Sequence, residues 1–141
     1  MRVLGVDYGL RRVGIAVSDP TGTLARPLGT IRRRKGKRPP VQALADLAAE
    51  HGVERIVVGL PLPLEGGENE WCREVRDVGA ALADRTGLSV DFVDERFTSV
   101  QAERAVRSSG LKKRDREDKD RVDAGAAALI LQSFLDGART R

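Results

Sequence analysis

"GVDYGLRRVGIAVSD" (residues 5–19) sets an aspartate, Asp7, between a short apolar run and a glycine turn. Residues 2–7, "RVLGVD", and the run "VGIAVS" from Val13 flank a turn carrying Gly9, Leu10, Arg11 and Arg12, which predicts a hairpin of two strands. Alternation puts Val3, Gly5 and Asp7 on one face of the first strand, with Asp7 at its C-terminal end. A strand ending in a carboxylate beside a glycine turn suits two chemistries. The carboxylate can hold a metal ion against a phosphodiester, or the turn can wrap a nucleotide phosphate.

Outward from the hairpin, "GTLARPLGTI" (residues 22–31) predicts a third strand, and Pro27 assigns it to an edge. Six cations follow between Arg32 and Arg38. Apolar residues at Val41, Leu44, Ala45 and Ala48 predict a helix stopping at Gly52. "RIVVGL" (residues 55–60) is a continuous β-branched run, as in a strand buried on both faces of a parallel sheet. A second helix carries Trp71, Val75, Val78 and Leu82 and ends at Gly87, and "LSVDFVDE" (residues 88–95) alternates as a fifth strand. Thr98 with Gln101 forms a capping box for a helix ending at Gly110. "LKKRDREDKDR" from Leu111 has no apolar period and reads as a loop before a last helix over about residues 119–137. The expected class is α/β. A five-stranded mixed sheet has strands 1–3 antiparallel and strands 1, 4 and 5 parallel, with helices on both faces.

The 141 residues suit one domain, 1–141, with an aliphatic core: 40% are hydrophobic, 33% charged and 4% aromatic. A formal charge of +4 and a pI near 9.7 point weakly to a polyanionic partner. The single cysteine, Cys72, excludes a disulfide framework, and no Cys/His spacing suggests zinc. The N-terminus has no secretory apolar region, and "AGAAALILQ" from Ala124 is too short to span a bilayer, so a cytoplasmic protein with no membrane partner is expected.

Three acids converge in this scheme. Asp7 ends strand one, Glu95 ends strand five on the face of Val93, and Asp123 begins the stripe Ala127, Ile130, Phe134 of the last helix. Gathered at one edge they repel one another unless a divalent cation neutralises them, and an all-oxygen set suits Mg²⁺ or Mn²⁺. Two such ions would serve phosphodiester hydrolysis. Each acid also has a plainer reading: Asp7 as turn chemistry, Glu95 as a partner of Arg96 or Arg104, Asp123 as a helix-dipole charge.

"GVDYGLRRVGIAVSD", "VVGLPL", "VDERFTSVQAE" and "VDAGAAALILQSFL" resemble, in order and over nearly the whole chain, the signature segments of the YqgF/RuvX family of RNase H-like nucleases. The resemblance implies an RNase H-like fold and a cytoplasmic hydrolase acting on ester bonds. Family members are described as maturing the 5′ end of precursor 16S rRNA in ribosome biogenesis, and some as Holliday junction resolvases. The implied partners are precursor rRNA or branched DNA, and the ribosomal particle. The family's metal-binding acids fall on Asp7, Glu95 and Asp123. Where the family has Asn and then an acid after "GLPL", this chain has "PLEGG". Strand four is expected to separate strands one and five, which makes Glu95 a long reach. Glu65, at the end of strand four, therefore stands in reserve as the second ligand, and Asp120, one turn before Asp123, reads as a solvated charge or a further reserve acid.

Arg11, Arg12, Arg32, Arg33, Arg34, Lys35, Lys37, Arg38 and Arg96 are the candidate phosphate contacts, the 32–38 cluster reading equally well as a solvated loop. With so few aromatics, base stacking is expected to be minor. His51 reads as a helix-end residue, Cys72 as packing and Thr98 as a cap. Two further functions compete. An ATP-binding actin-like half-domain shares an Asp-x-Gly hairpin but needs two halves, and a non-catalytic nucleic-acid-binding module would bind without regard to metal or Asp7.

Overall fold

The computed structural model describes residues 1–33, 38–97 and 116–139, with side chains of the last segment described over 124–137. The elements are β1 (Val3–Tyr8), β2 (Arg12–Ser18), β3 (Ala25–Arg32), α1 (Val41–Glu50), β4 (Arg55–Leu60), α2 (Glu70–Thr86), β5 (Ser89–Asp94), a 3₁₀ turn (Glu95–Phe97) and α3 (Arg116–Arg139). The strands form one mixed sheet in the order β3-β2-β1-β4-β5. β1, β2 and β3 pair antiparallel, while β1 with β4 and β4 with β5 pair parallel, as the patterning predicts. Pro27 lies on an edge strand, where its missing N–H costs no ladder bond.

Alternation along the central strands divides the core in two. Leu4, Val6, Tyr8, Val13, Ile15 and Val17 pack with α1 and α2 through Leu44, Val75 and Leu82. Val3, Ala16 and Val57 pack with α3 through Ala127, Ile130 and Leu131. On this second face the helix comes close to the strands. A Cβ on Gly5 would stand 2.8 Å from Leu131 Cβ and 3.1 Å from the Ala127 carbonyl oxygen, so only glycine allows the approach.

Three boundaries differ from expectation. β3 starts at Ala25 because residues 19–24 form a turn around the Asp19 carboxylate, which accepts from the N–H of Thr23 (2.7 Å) and Leu24 (3.1 Å). β5 stops at Asp94, whose Oδ1 accepts the Arg96 N–H at 2.9 Å and draws the chain into the 3₁₀ turn. Glu95 therefore leaves the strand, yet it stays on the expected face of the sheet, that of Val93, with its Cγ beside the Cβ position of Gly59. The last helix begins at Arg116, inside the stretch expected to be a loop. Arg, Glu and Lys have good intrinsic helix propensity, so no apolar face is needed there. The predicted Thr98–Gln101 capping box, its helix to Gly110 and residues 111–115 lie outside the described residues. Among the described residues no helix is long and apolar enough to cross a membrane.

Candidate active site

β1 delivers Asp7 to the C-terminal edge of the sheet, paired opposite Gly14 of β2 and only 6% exposed. The turn that follows is tight. Gly9 donates its N–H to the Arg12 carbonyl at 2.9 Å, and a Cβ on Gly9 would stand 2.6 Å from that oxygen. The glycine is thus a packing requirement of the hairpin that ends beside Asp7.

Glu95 is the largest buried acid among the described residues, 1% exposed, and it lines the same pocket as Asp7. β4 does lie between β1 and β5, as expected, yet the reach is bridged by what β4 lacks. A Cβ on Gly59 would stand 3.4 Å from Glu95 Cγ and 2.5 Å from Ile130 Cδ1, so the Glu95 stem and Ile130 occupy the space that a side chain would fill. The shared pocket, about 320 Å³, is also lined by Arg11, Arg12, Tyr8, Pro61 and Trp71.

Two carboxylates taken from water into one pocket are costly unless paired, and their oxygen donors fit a hard divalent cation such as Mg²⁺ or Mn²⁺. Among the described residues no group of three acids, histidines or cysteines closes around a single point. Asp123 belongs to α3 one turn before Ala127, and Ala127 is the residue whose carbonyl faces Gly5, two residues before Asp7 on the same face of β1. The side chains of Asp123 and Asp120 lie outside the described ones. Glu65 is exposed and does not line the pocket: it sits in a surface turn where Gly66 donates to the Pro63 carbonyl at 3.0 Å. The reserve ligand is thus carried away from Asp7, and Glu95 is the acid brought to it.

The basic residues divide by what they hold. Arg96 grips Asp94, Nη2 to Oδ2 at 2.7 Å and Nε to Oδ2 at 3.0 Å, and donates to the Pro63 carbonyl at 3.4 Å. Its hydrogen bonds keep the Asp94 carboxyl below the usual carboxylate range, and they brace the turn in which Glu95 sits. Arg33 folds back on the hairpin, Nη1 to the Gly9 carbonyl at 3.1 Å, with its guanidinium 4.6 Å from the Tyr8 ring centre. Arg11, Arg32 and Arg38 are exposed and Arg12 is half-buried, while Arg34, Lys35 and Lys37 lie outside the described residues.

His51 caps α1 through its N–H to Leu47, 3.0 Å, and Cys72 is buried with Sγ donating to the Pro61 carbonyl at 3.4 Å, as their sequence context predicts. Patterning missed an aromatic pair at the pocket. Tyr8 and Trp71 stack with ring centres 5.5 Å apart and planes at 17°. Burial, partly opposed by Arg33, raises the Tyr8 hydroxyl pKa. The available signal was that both residues flank motif segments: Tyr8 follows Asp7, and Trp71 lies just beyond the loop after "VVGLPL".

Known proteins agree with this architecture. Residues 1–137 match the family described as RuvX, Holliday junction resolvase. Relatives from Agathobacter rectalis (39% identical over 138 residues, 96% of this chain and 95% of the relative) and Koribacter versatilis (43% over 137 residues, 96% and 86%) carry the name "Putative pre-16S rRNA nuclease". Among solved structures, Thermus thermophilus RuvC in complex with a Holliday junction substrate aligns at TM-score 0.59 and 20% identity, covering 99% of this chain and 96% of that one. Fowlpox virus resolvase with Holliday junction DNA aligns at TM-score 0.58 and 9% identity, covering 98% and 99%. These likenesses carry the fold, RNase H-like as in the RuvC resolvases. With the family matched along almost the whole chain, the protein belongs to the RuvX family of nucleases.

Proposed function

We propose that the chain is a metal-dependent nuclease, a single domain over residues 1–141, that processes the 5′ end of precursor 16S rRNA in the cytoplasm. The observation that carries this reading is the burial of Asp7 and Glu95 in one pocket rimmed by Arg11 and Arg12. Asp7 and Glu95 would hold Mg²⁺ or Mn²⁺, with Asp123 as the third acid. Bound there, the cation would activate the attacking water and stabilise the departing alkoxide of a phosphodiester. Gly59 keeps the space for Glu95 open, and Arg96 braces its turn through Asp94. Arg11 and Arg12 supply positive charge at the pocket mouth for the phosphate backbone, which makes binding salt-dependent.

The name shared by the curated relatives supports precursor 16S RNA as substrate and the ribosomal particle as partner. The family description favours a second reading, cleavage of branched DNA. Labelled precursor 16S RNA and a four-way DNA junction, offered with Mn²⁺, Mg²⁺ or EDTA, separate the two. RNA cleavage that needs the metal and disappears in Asp7→Asn is the expected result. Cleavage confined to the junction selects the second reading. Nucleic-acid binding indifferent to metal and to Asp7→Asn, without cleavage, leaves a binding module.

A further inference from the structure

We propose that Trp71 and Tyr8 form a stacking site for one unpaired nucleobase beside the scissile phosphate, so that the nuclease selects single-stranded or melted segments. The proposal rests on the nuclease reading and deepens it. The chain has one Trp, one Tyr and three Phe, and both aromatics with a polar tip line the pocket of Asp7 and Glu95. Aromatic surface is thus scarce overall and concentrated where substrate must lie.

The pair is built in place. Asn69 caps α2 by accepting the Cys72 N–H at 3.0 Å, and Cys72 Sγ reaches the Pro61 carbonyl, tying the first turn of α2 to the end of β4. Trp71 is held in that turn, partly exposed, against the Tyr8 ring. Tyr8 is 3% exposed and carries the Arg33 guanidinium over its ring. Among the described residues its buried hydroxyl meets no hydrogen-bond partner, so what the site draws on is the surface of the ring. A pre-ordered stack with one member open to the pocket offers a flat apolar surface that any base can cover without sequence preference. A base already stacked within a duplex gains nothing from it.

Trp71 is the sole tryptophan, which makes its emission a direct reporter. Asp7→Asn protein would be titrated with a short fluorescently labelled oligoribonucleotide, single-stranded or annealed to its complement, reading RNA anisotropy and tryptophan emission together. The expected result is that the single strand quenches emission in step with its anisotropy, while the duplex binds without quenching. Trp71→Ala should weaken single-strand binding by about tenfold, the loss of one stacked base, and Trp71→Phe should retain most of it. Circular dichroism establishes that each variant folds. Single-strand binding with unchanged emission, or undiminished in a folded Trp71→Ala, overturns the proposal, as does failure of either RNA to bind. Metal-dependent cleavage without quenching would sink the stacking site and leave the nuclease reading. Quenching, with no cleavage of any substrate by the native enzyme, would do the reverse.

Discussion

The two faces of the sheet are filled on opposite terms. Toward α1 and α2 the core is made of full-sized side chains such as Leu4, Ile15, Leu44, Ile56 and Leu82. Toward α3 large residues such as Ile130 and Leu131 are set against small ones, with Gly5, Gly59, Ala16 and Ala127 letting a helix and a carboxylate lie close to the strands. Bulk on the first face stabilises the sheet, while smallness on the second assembles the site. Single-residue alternation of β1 divides Asp7 from Tyr8 accordingly, the acid on the crowded face and the aromatic on the bulky one.

Gly59→Ala tests this difference most severely. The new methyl would meet Ile130 Cδ1 at 2.5 Å and Glu95 Cγ at 3.4 Å, and Ile130, fully buried, has little room to yield. Overpacking should cost about 1–3 kcal/mol. Displacement of Glu95 should cost more in rate, on the order of a hundredfold, with RNA binding little changed. Urea unfolding and single-turnover cleavage measure the two separately. Leu44→Ala, on the other face, should lose about 2–5 kcal/mol yet cleave normally per folded molecule. An equal fall in rate from both variants would erase the functional distinction between the faces.

Tyr8→Phe sharpens the comparison by a smaller effect. The hydroxyl has no partner among the described residues, so its removal discards a desolvated group and should leave the denaturation midpoint unchanged or slightly raised. The Trp71 stack should survive, and tryptophan emission would register its loss.

Legibility in the sequence followed the same division. Hairpin, parallel strands and both helices of the bulky face could be read because alternation and apolar spacing record burial along one element. Gly87 was read as the stop of α2, and its φ of 72° is the left-handed conformation that glycine takes without penalty. That β4 separates Glu95 from β1 follows from the strand pattern, but the means of bridging that distance does not. "VVGL" displays Gly59 without saying whose side chain will cross it, since that depends on the 3₁₀ turn after β5 that sets Glu95 beside it. The start of α3 escaped because charged residues with good helix propensity leave no apolar stripe. The Tyr8–Trp71 stack joins residues far apart in the chain, which no pattern along a single element records.

The opposite end of the sheet provides the mildest test. Asp19 closes the turn between β2 and β3, accepting from Thr21 Oγ1 at 2.7 Å as well as from two backbone N–H groups, and these bonds lower its carboxyl pKa from 3.8 to about 2. A carboxyl more acidic in the folded chain contributes stability that is fully present above the unfolded pKa and is lost as pH falls through the folded one. The contribution should therefore persist at pH 4 and above and disappear between pH 4 and pH 2. Because the group is partly open to solvent, the loss should be small. Asp19→Asn should flatten that part of the curve of melting temperature against pH while leaving cleavage at neutral pH intact. An effect on cleavage would mean that the β2–β3 turn is coupled to the carboxylate edge through the sheet, and the site could then no longer be treated as the property of one end and one face.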